Sequence, residues 1–527
     1  MNNHNYTADL TSRQYFQVAV LAAAGVACTQ LDATLTNSNM RYIGGGLGFT
    51  ADEATWSAAG YLFTQLASIV MCTTLMDALN IRRFLLFLAF MFLASEVVCW
   101  LSFDLYSFIA GRIITGFCAG AFNTTTIILV LKHIPRERRI IAFLLFGLPS
   151  TLFIPVGYWL GGFFVNHLDW RDIYGTTSLM AVALFAGMYH LVEGATLRPF
   201  QPIKLNLSNW ANIISVVITL FCISIVANRG TIENWYDSPM IILLTVAGVV
   251  SSIIFIVLEV KAKEPVIDFS LLKDSHFTAM MAVNFLFGSL LVYTSVIVSY
   301  LQNVSGYDSE QIGGTVLWAA LVVPLILNFM KRVDHRVLIV SGLLLIAFSG
   351  FSNAMLNEYL VGDDFISSQI IRAAGQTFVL WPIFNMVLKE VPVRQQDSGA
   401  KFYSLSRALG VAFATAMLGA SLTWRDNFHS QHAAERVSQS AMHAQAKILT
   451  KHFISLGSGR RQAAAQAVVT ISKEVKTETR VRVYSDLFWM MGRLALFAIL
   501  PLLFVSGNTG AESILNHLFQ KSSVNSK

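Results

Sequence analysis

The chain has 527 residues, of which 55% are hydrophobic and only 13% are charged, and its mean hydropathy is +0.58. A soluble fold of this length could not bury so much apolar surface, so lipid must cover the excess. The formal net charge of +6 does not indicate nucleic-acid binding, because the lysines and arginines lie in short loops between apolar runs. These features exclude a soluble fold and predict a chain that crosses a membrane many times.

Fourteen apolar segments approach the length of about 20 residues that a helix needs to span a bilayer. The first six lie near 14–40, 53–76, 83–103, 105–131, 139–165 and 171–193. Two more lie near 210–228 and 239–260, and the last six lie near 276–302, 310–330, 336–356, 364–389, 398–424 and 485–507. The predicted fold is an all-α membrane protein with a six-helix bundle in 1–193, two inserted helices with linkers in 194–275, and a second six-helix bundle in 276–527.

Basic residues are concentrated in alternate short loops, which predicts the orientation of the chain. These loops contain Arg82 and Arg83; Lys132, Arg136, Arg138 and Arg139; Lys261 and Lys263; Lys331, Arg332 and Arg336; Lys389 and Arg394. Short cytoplasmic loops of membrane proteins are rich in lysine and arginine, so we expect these loops and both termini in the cytoplasm. The predicted location is the bacterial inner membrane.

A long polar segment at 425–484 is predicted to lie outside the membrane, on the face opposite to the basic loops. The spacing of its apolar residues predicts one or two amphipathic helices. Its histidines are His429, His432, His443 and His452, and no cysteine or carboxylate cluster joins them. A solvated surface is therefore the preferred interpretation, and no metal site is predicted.

Six ionisable residues lie inside the predicted spans: Asp32, Glu96, Arg112, Arg372, Arg407 and Arg493. An ionisable group at the bilayer centre costs about 2.5 to 3.5 kcal/mol, so each is a candidate functional residue. A helix rises about 1.5 Å per residue, which places Asp32, Glu96 and Arg112 at one level, roughly 10 Å below the outer surface. Two acids and one base at that level could share a buried charge.

Polar residues at helical spacing accompany two of these charges. Span 1 carries Thr29, Thr36 and Asn39 around Asp32, and span 4 carries Thr115 and Asn123 after Arg112. Two polar stripes on apolar helices predict a water-accessible cavity between them. Desolvation and a nearby arginine act on a carboxyl group in opposite directions, so a small rearrangement there can move a proton. The alternative is a structural ion pair that only fixes the packing of the helices.

The second half repeats part of this pattern without the acids. Arg372 is followed by Gly375 as Arg112 is followed by Gly116, a weak internal repeat of the kind that transporter halves show. Only the first half has carboxylates in mid-span, so we expect proton handling there. Arg372 and Arg407 are then left for packing, gating or an anionic substrate group.

Span 5 contains a cluster of glycines, Gly157, Gly161 and Gly162, within six residues. The spacing of Gly157 and Gly161 predicts the close approach of another helix, and Gly162 is expected to add flexibility.

Over nearly its whole length the chain resembles the EmrB/QacA-type drug:proton antiporters, the fourteen-span branch of the major facilitator superfamily. The matching residues are Leu31 to Thr34 with Asn37; Arg112 with Gly116; Gly157 to Gly162; Asn228, Arg229 and Gly230 with Trp235; Glu264 to Asp268 with Leu271 and Leu272; Arg372 to Gly375 with Pro382; and Arg407 with Gly410. The resemblance implies a proton-coupling role for Asp32 with Arg112, and an antiporter motif at Gly157, Gly161 and Gly162.

The chain also departs from that family at several positions. The gating loop between spans 2 and 3 keeps Asp77, Arg82 and Arg83 but lacks both glycines, and Asn80 occupies one of those places. Asparagine tolerates positive φ better than most residues, so we expect the turn to be kept. In span 5 Tyr158 stands where the family has proline, and in span 4 Thr115 stands where it has glutamine.

The sequence therefore predicts an exporter of amphipathic or hydrophobic small molecules that uses the proton gradient as its energy source and holds no cofactor. The candidate cavity or substrate residues are Thr36, Asn39, Asn123, Arg372, Trp381 and Arg407. Two alternatives remain: a dedicated exporter of one anionic metabolite, such as a siderophore or a fatty acid, and a membrane enzyme or a sensor that transports nothing. No phosphate loop, zinc signature or catalytic triad supports the enzyme. The resemblance implies a periplasmic adaptor protein and an outer-membrane channel as possible partners of the outer segment.

Overall fold

The computed structural model describes residues 12–133, 139–191, 207–262, 265–330, 333–356, 360, 362–389, 391–392, 395–436 and 439–504. Every regular element within these ranges is helical. The expected loop residues Arg136, Arg138, Lys263, Glu264, Lys331, Arg332 and Arg394 lie outside the described residues.

Sixteen α-helices follow one another along the described part of the chain. They are α1 (Ser12–Leu47), α2 (Ala51–Leu79), α3 (Ile81–Trp100), α4 (Leu105–His133), α5 (Arg139–His167), α6 (Trp170–Leu191), α7 (Leu207–Arg229), α8 (Pro239–Lys261), α9 (Ser275–Leu290), α10 (Tyr293–Asn303), α11 (Ser309–Met330), α12 (His335–Asn353), α13 (Gly362–Lys389), α14 (Gln396–Arg436), α15 (Gln439–Ser455) and α16 (Arg460–Phe497). Eleven segments among the described residues are long and apolar enough to span a membrane. The all-α membrane fold is thus confirmed, while the count of fourteen spans stays a prediction.

Several helix boundaries differ from the predicted spans. Helix α1 continues to Leu47, and α14 continues through the predicted end of its span to Arg436. Helix α16 begins at Arg460, within the polar segment 425–484 (the outer segment), and continues without a break into the predicted span at 485–507. The predicted spans ended where polar residues lowered the hydropathy. These residues are still compatible with a helix, because backbone hydrogen bonds do not depend on side-chain polarity.

The predicted span at 276–302 is divided into two helices. Helix α9 ends at Leu290 and α10 begins at Tyr293, and the amide of Leu291 donates to the carbonyl of Gly288, three residues back (3.1 Å). Neither proline nor glycine occupies the break, so no local signal in the sequence marks it.

The helices form two bundles with an inserted pair at the side. Helices α1 to α6 pack together, and so do α9 to α14 with α16. The inserted helices α7 and α8 pack on each other, and α7 also contacts α2 and α14. The two bundles meet along α5 and α11 on one side, and along α14 with α2 and α4 on the other.

The turn between α2 and α3 consists of a single residue, Asn80. Its φ of 63° lies in the region that favours glycine, and its carbonyl accepts from the amide of Phe84 (2.8 Å). The turn is kept with asparagine in place of glycine, although a ψ of 151° puts Asn80 outside the left-handed helical region. Asp77 is exposed on one side of the turn, and Arg82 and Arg83 are half-buried on the other.

Candidate functional site

Asp32 of α1 and Arg112 of α4 form an ion pair in the interior of the first bundle. Nη1 of Arg112 lies 2.6 Å from Oδ2 of Asp32, and the two side chains are 4% and 0% exposed. A buried pair of this kind is held together strongly, because removing either partner leaves an uncompensated charge in a low dielectric. The helix rise, which predicts a common depth for these two residues, is consistent with this contact.

Residues from two further helices complete the surroundings of the pair. The hydroxyl of Thr36 donates to Oδ1 of Asp32 (3.4 Å) and shares a hydrogen bond with the hydroxyl of Tyr174 of α6 (2.9 Å). The guanidinium of Arg112 lies over the ring of Tyr61 of α2, with its carbon 4.9 Å from the ring centroid. Neither tyrosine was predicted, because neither interrupts the apolar pattern of its span.

Glu96 of α3 is the second buried acid of this cluster. Its Oε2 accepts from the hydroxyl of Thr177 of α6 (2.5 Å), and the side chain is fully buried. Its Oε1 is buried and has no hydrogen-bond partner among the described residues. Glu96 lies within electrostatic reach of Asp32 and Arg112. The three predicted residues are therefore grouped, with only one cation for the two acids.

The predicted polar stripes face helix contacts in this conformation and do not line an open cavity. Thr29 donates to carbonyls of its own helix at Gly25 and Val26 (3.0 and 3.1 Å). Asn39 is fully buried and donates to the carbonyl of Leu35 (3.0 Å). The expected water-accessible cavity between α1 and α4 is thus closed, because these side chains are packed and hydrogen-bonded within the bundle.

The polar residues of α4 are packed in the same way. Thr115 is buried and donates to the carbonyl of Gly111 in its own helix (3.1 Å). Asn123 is half-buried, and its Oδ1 is shielded from solvent without a partner among the described residues.

The glycines of α5 are contact points on two neighbouring helices. A Cβ added at Gly157 would lie 2.7 Å from Cβ of Thr34, and one at Gly161 would overlap the amide of Asn39. At Gly162 a Cβ would overlap the backbone of Glu310 at the start of α11. The close approach predicted for this motif is present, but α5 is continuous through Gly162, which is a packing position and not a flexible joint.

Arg372 of α13 is a buried cation of the second bundle. It is 3% exposed; its Nε donates to Oε1 of Gln369 (2.8 Å) and its Nη1 donates to Oε1 of Gln376 (2.8 Å). Its guanidinium carbon lies 5.9 Å from the ring centroid of Tyr293. No carboxylate pairs with it in the described part of the chain. The two glutamines were missed, although their positions three before and four after the arginine are those that share a helix face.

Arg372 also lines a small cavity between the two bundles. The lining residues are Ile154, Pro155, Leu291, Thr294, Ala319, Arg372, Ala373 and Gln376. They come from α5 of the first bundle and, in the second, from the break between α9 and α10 and from α10, α11 and α13.

The other predicted cavity residues of the second bundle lie elsewhere. The guanidinium of Arg407 is over the ring of Tyr403, 5.4 Å from its centroid, and the backbone of α14 at this point packs on Gly288 of α9. Trp381 is buried in the apolar core of the bundle. Neither residue lines the cavity that contains Arg372.

Two buried charges near the predicted cytoplasmic face were missed. Glu259 of α8 accepts from the amide of Ile267 (2.6 Å) and from Asn212 of α7 (2.8 Å). Lys401 of α14 donates to the carbonyl of Val266 (2.7 Å). Both hold the segment after α8, and both were overlooked because they lie near the ends of their spans.

The outer segment is helical and is joined to the second bundle. Nε of Arg425 donates to Oδ2 of Asp486 (2.7 Å), and Nε2 of His429 contacts the same oxygen (2.6 Å). Helix α15 packs along α16. One or two amphipathic helices were predicted here, and the segment contains α15 together with the extensions of α14 and α16.

Comparison with known proteins identifies the family. The model described as Major Facilitator Superfamily matches residues 22–415. The multidrug export protein EmrB of Escherichia coli K12 is 24% identical over 485 residues, which cover 88% of this chain and 90% of that protein. The fatty acid resistance protein FarB of Neisseria gonorrhoeae is 21% identical over 484 residues, 90% of this chain and 93% of that one.

A solved structure supports the fold. The xylose transporter XylE of E. coli, in a partially occluded inward-open conformation, aligns with 94% of this chain and 99% of its own at a TM-score of 0.55 and 12% identity. At this identity the likeness concerns the fold alone. The family match covers most of the chain, and the relatives confirm the resemblance that the sequence motifs indicate. The chain is a multi-pass membrane protein and belongs to the Major Facilitator Superfamily, among its EmrB-like members.

Proposed function

We propose that the protein is a proton-coupled exporter that moves amphipathic or hydrophobic small molecules outward across the bacterial inner membrane by alternating access. The observation that carries this proposal is the buried ion pair of Asp32 and Arg112, with the hydrogen-bonded acid Glu96 beside it. The pair is favourable only while Asp32 is ionised. Uptake of a proton by Asp32 removes the attraction and releases Arg112, so the protonation state determines how tightly α1 is held to α4.

A chain of close contacts connects this pair to the boundary between the bundles. Helix α1 carries Asp32 and packs on Gly157 and Gly161 of α5, and α5 packs on α11 through Gly162. Since these helices touch at glycines, a small displacement of α1 must move α5 or open the contact. A proton at Asp32 would thereby bias the relative position of the two bundles, which is the requirement for alternating access.

The variant Asp32→Asn tests the coupling. Purified protein is reconstituted into vesicles with an imposed pH gradient, and proton release is followed by recovery of acridine fluorescence after addition of cationic, neutral and anionic amphiphiles. We expect D32N to lose gradient-driven transport while binding of the same amphiphiles stays measurable. Asp52→Asn, which changes an exposed acid at the start of α2, is the control and should transport normally. Gradient-driven transport retained by D32N would refute Asp32 as the coupling acid.

A second candidate is the dedicated export of one anionic metabolite, such as a siderophore or a fatty acid. The observation that favours it is Arg372, a buried cation on the cavity between the bundles whose described hydrogen bonds go only to neutral glutamines. One relative is named for fatty acid resistance. A screen of cargoes in a strain without the gene separates the two candidates, because a broad exporter confers resistance to several unrelated compounds.

We also propose that both termini are cytoplasmic and that the outer segment contacts a periplasmic adaptor protein that leads to an outer-membrane channel. The segment leaves apolar side chains exposed, including Ile448, Leu456, Val468 and Val469. Deleting 438–458 should then abolish export from intact cells but leave transport into inverted vesicles intact. Equal export from cells with and without residues 438–458 would rule out a partner bound at that part of the segment.

A further inference from the structure

We propose that Arg372, Gln369 and Gln376 form a binding site for the anionic head group of an amphipathic cargo, a carboxylate in the first instance. This inference rests on the proposed export function and specifies which chemical group is held, and where. The site belongs to the second bundle and is separate from the ion pair of Asp32 and Arg112.

The guanidinium of Arg372 is held in place without being neutralised. Gln369 and Gln376 lie on the same helix, before and after the arginine, and accept from its Nε and its Nη1. These two bonds fix the plane of the guanidinium, whose five N–H donors exceed what two acceptors can satisfy. A buried cation with only neutral partners is costly, and an anion is the group that would compensate it.

The two glutamines add donors of their own. A guanidinium cannot accept a hydrogen bond, so each glutamine must turn its oxygen toward Arg372 and its NH₂ group away. Nε2 of Gln369 is buried without a partner among the described residues, and Gln376 lines the cavity. Arg372 and Gln376 therefore present N–H donors at the cavity, and Gln369, which is not among its lining residues, contributes by holding the guanidinium. An ionised carboxylate is acceptor-only and matches such a set, whereas a cation or an amide does not.

In this conformation the cavity has a volume of about 20 Å³, room for about one water molecule, so a cargo tail can enter only when the bundles separate. Ile154, Pro155, Leu291 and Ala319 supply apolar surface, and Thr294 supplies a hydroxyl. Helix α10 begins one residue before Thr294, so its N-terminal end, the positive end of the helix dipole, lies at this cavity. Irregular backbone at membrane depth occurs where it is enclosed by protein or lines a cavity, and the break between α9 and α10 does both.

The test is a binding measurement with the full-length protein in nanodiscs of zwitterionic lipid. The probes are dansyl-labelled undecanoate and the corresponding primary amide, which share one tail and differ in the charge of the head group. Fluorescence titration at pH 8, corrected for empty nanodiscs, gives a dissociation constant for each probe. We expect the wild type to bind the carboxylate about tenfold more tightly than the amide.

The variant Arg372→Gln should lose this preference while binding the amide as the wild type does. Arg493→Gln is the matched control, because Arg493 is an arginine within a span that is exposed on α16 and packs on Trp489, away from the cavity. A tenfold preference that persists in R372Q, or an equal loss in R493Q, would overturn the site. If R372Q binds neither probe, the variant Gln376→Glu provides the test instead. It keeps Arg372 and gives it a carboxylate partner within the protein, so the preference for the carboxylate probe should disappear. A preference retained in Q376E would also overturn the site.

Two further measurements complete the experiment, one with an anionic lipid and one with the variant D32N. An anionic lipid offers the same chemistry as an anionic cargo, so the titration is repeated with phosphatidylglycerol in the nanodisc. Displacement of the carboxylate probe by that lipid would show a lipid head group in the site and refute the assignment to cargo. In D32N the tenfold preference should persist. Loss of gradient-driven transport without loss of preference supports both proposals, and transport retained in D32N refutes the coupling acid but leaves the anion site standing.

Discussion

Arg112 on α4 and Arg372 on α13 occupy related places in the two bundles, and both are almost completely buried. Arg112 has its own carboxylate at 2.6 Å, while Arg372 has two glutamine oxygens at 2.8 Å. Arg112 is thus balanced within its own bundle, whereas Arg372 is held by two hydrogen bonds and has no carboxylate partner among the described residues. The same fold supports both arrangements because the neighbouring side chains, and not the helix geometry, decide what compensates the charge.

The largest expected effect is on stability and differs between the two arginines. Arg112→Ala leaves Asp32 buried without its partner, which should cost about 3 kcal/mol or more and lower the thermal transition of the detergent-solubilised protein by several degrees. Arg372→Ala removes a cation that no acid balances, so its transition should stay the same or rise.

A double variant controls this comparison. D32N combined with Arg112→Gln replaces the ion pair by two amides, and it should recover most of the stability that R112A loses. Equal losses in R112A and R372A would show that the charges of the two sites are balanced in the same way.

A second prediction concerns the electrical charge moved in transport. Asp32 and Arg112 neutralise each other's charge, so neither residue is available to neutralise an anion bound at Arg372. Export of a carboxylate should then move one elementary charge more per cycle than export of its amide, at the same proton stoichiometry. An inside-negative potential of 100 mV adds about 2.3 kcal/mol of driving force for that charge. Reversal potentials measured for the two dansyl probes in vesicles check this, and identical values would contradict it.

The smallest expected effect concerns the second acid. Thr177→Val removes the hydroxyl that donates to Glu96 and leaves a buried carboxyl oxygen without that partner, at a cost of about 1 to 3 kcal/mol. Gradient-driven transport should slow several-fold, and binding of the carboxylate probe should not change. Thr115→Val is the control, since this buried hydroxyl bonds only to the carbonyl of Gly111 in its own helix. Equal slowing in both variants would exclude a specific role for Glu96.

The sequence predicted an all-α membrane fold and the meeting of Asp32 with Arg112, because both follow from quantities that add along the chain. Hydropathy over about 20 residues marks a span, and a fixed rise per residue places Asp32 and Arg112 at one depth. The rotation of each helix about its own axis cannot be obtained by summing a property along the chain. Tyr61, Tyr174 and Thr177 therefore could not be assigned to the cluster from the sequence, since their contacts depend on which face each neighbouring helix presents.

Two further features of the structure were not predicted, and the sequence contains a signal for only one of them. Gln369 and Gln376 flank Arg372 at helical spacing, so a search for polar neighbours on the same face would have found them. The break between α9 and α10 contains no helix breaker and lies just after Gly288, where α9 packs on α14. An interruption without a helix breaker is invisible to local propensity.

Helix α16 connects the outer segment to the second bundle as one continuous rod. It runs for 38 residues from Arg460 to Phe497, and its first 25 residues or so extend about 37 Å before the predicted span begins. Tilting a rod of that length by about 10° carries its tip through about 6 Å. If the second bundle rocks as the proposed alternating access requires, the far end of α16 moves much further than the bundle itself. A protein bound at that end could then follow the transport cycle without contacting the cargo.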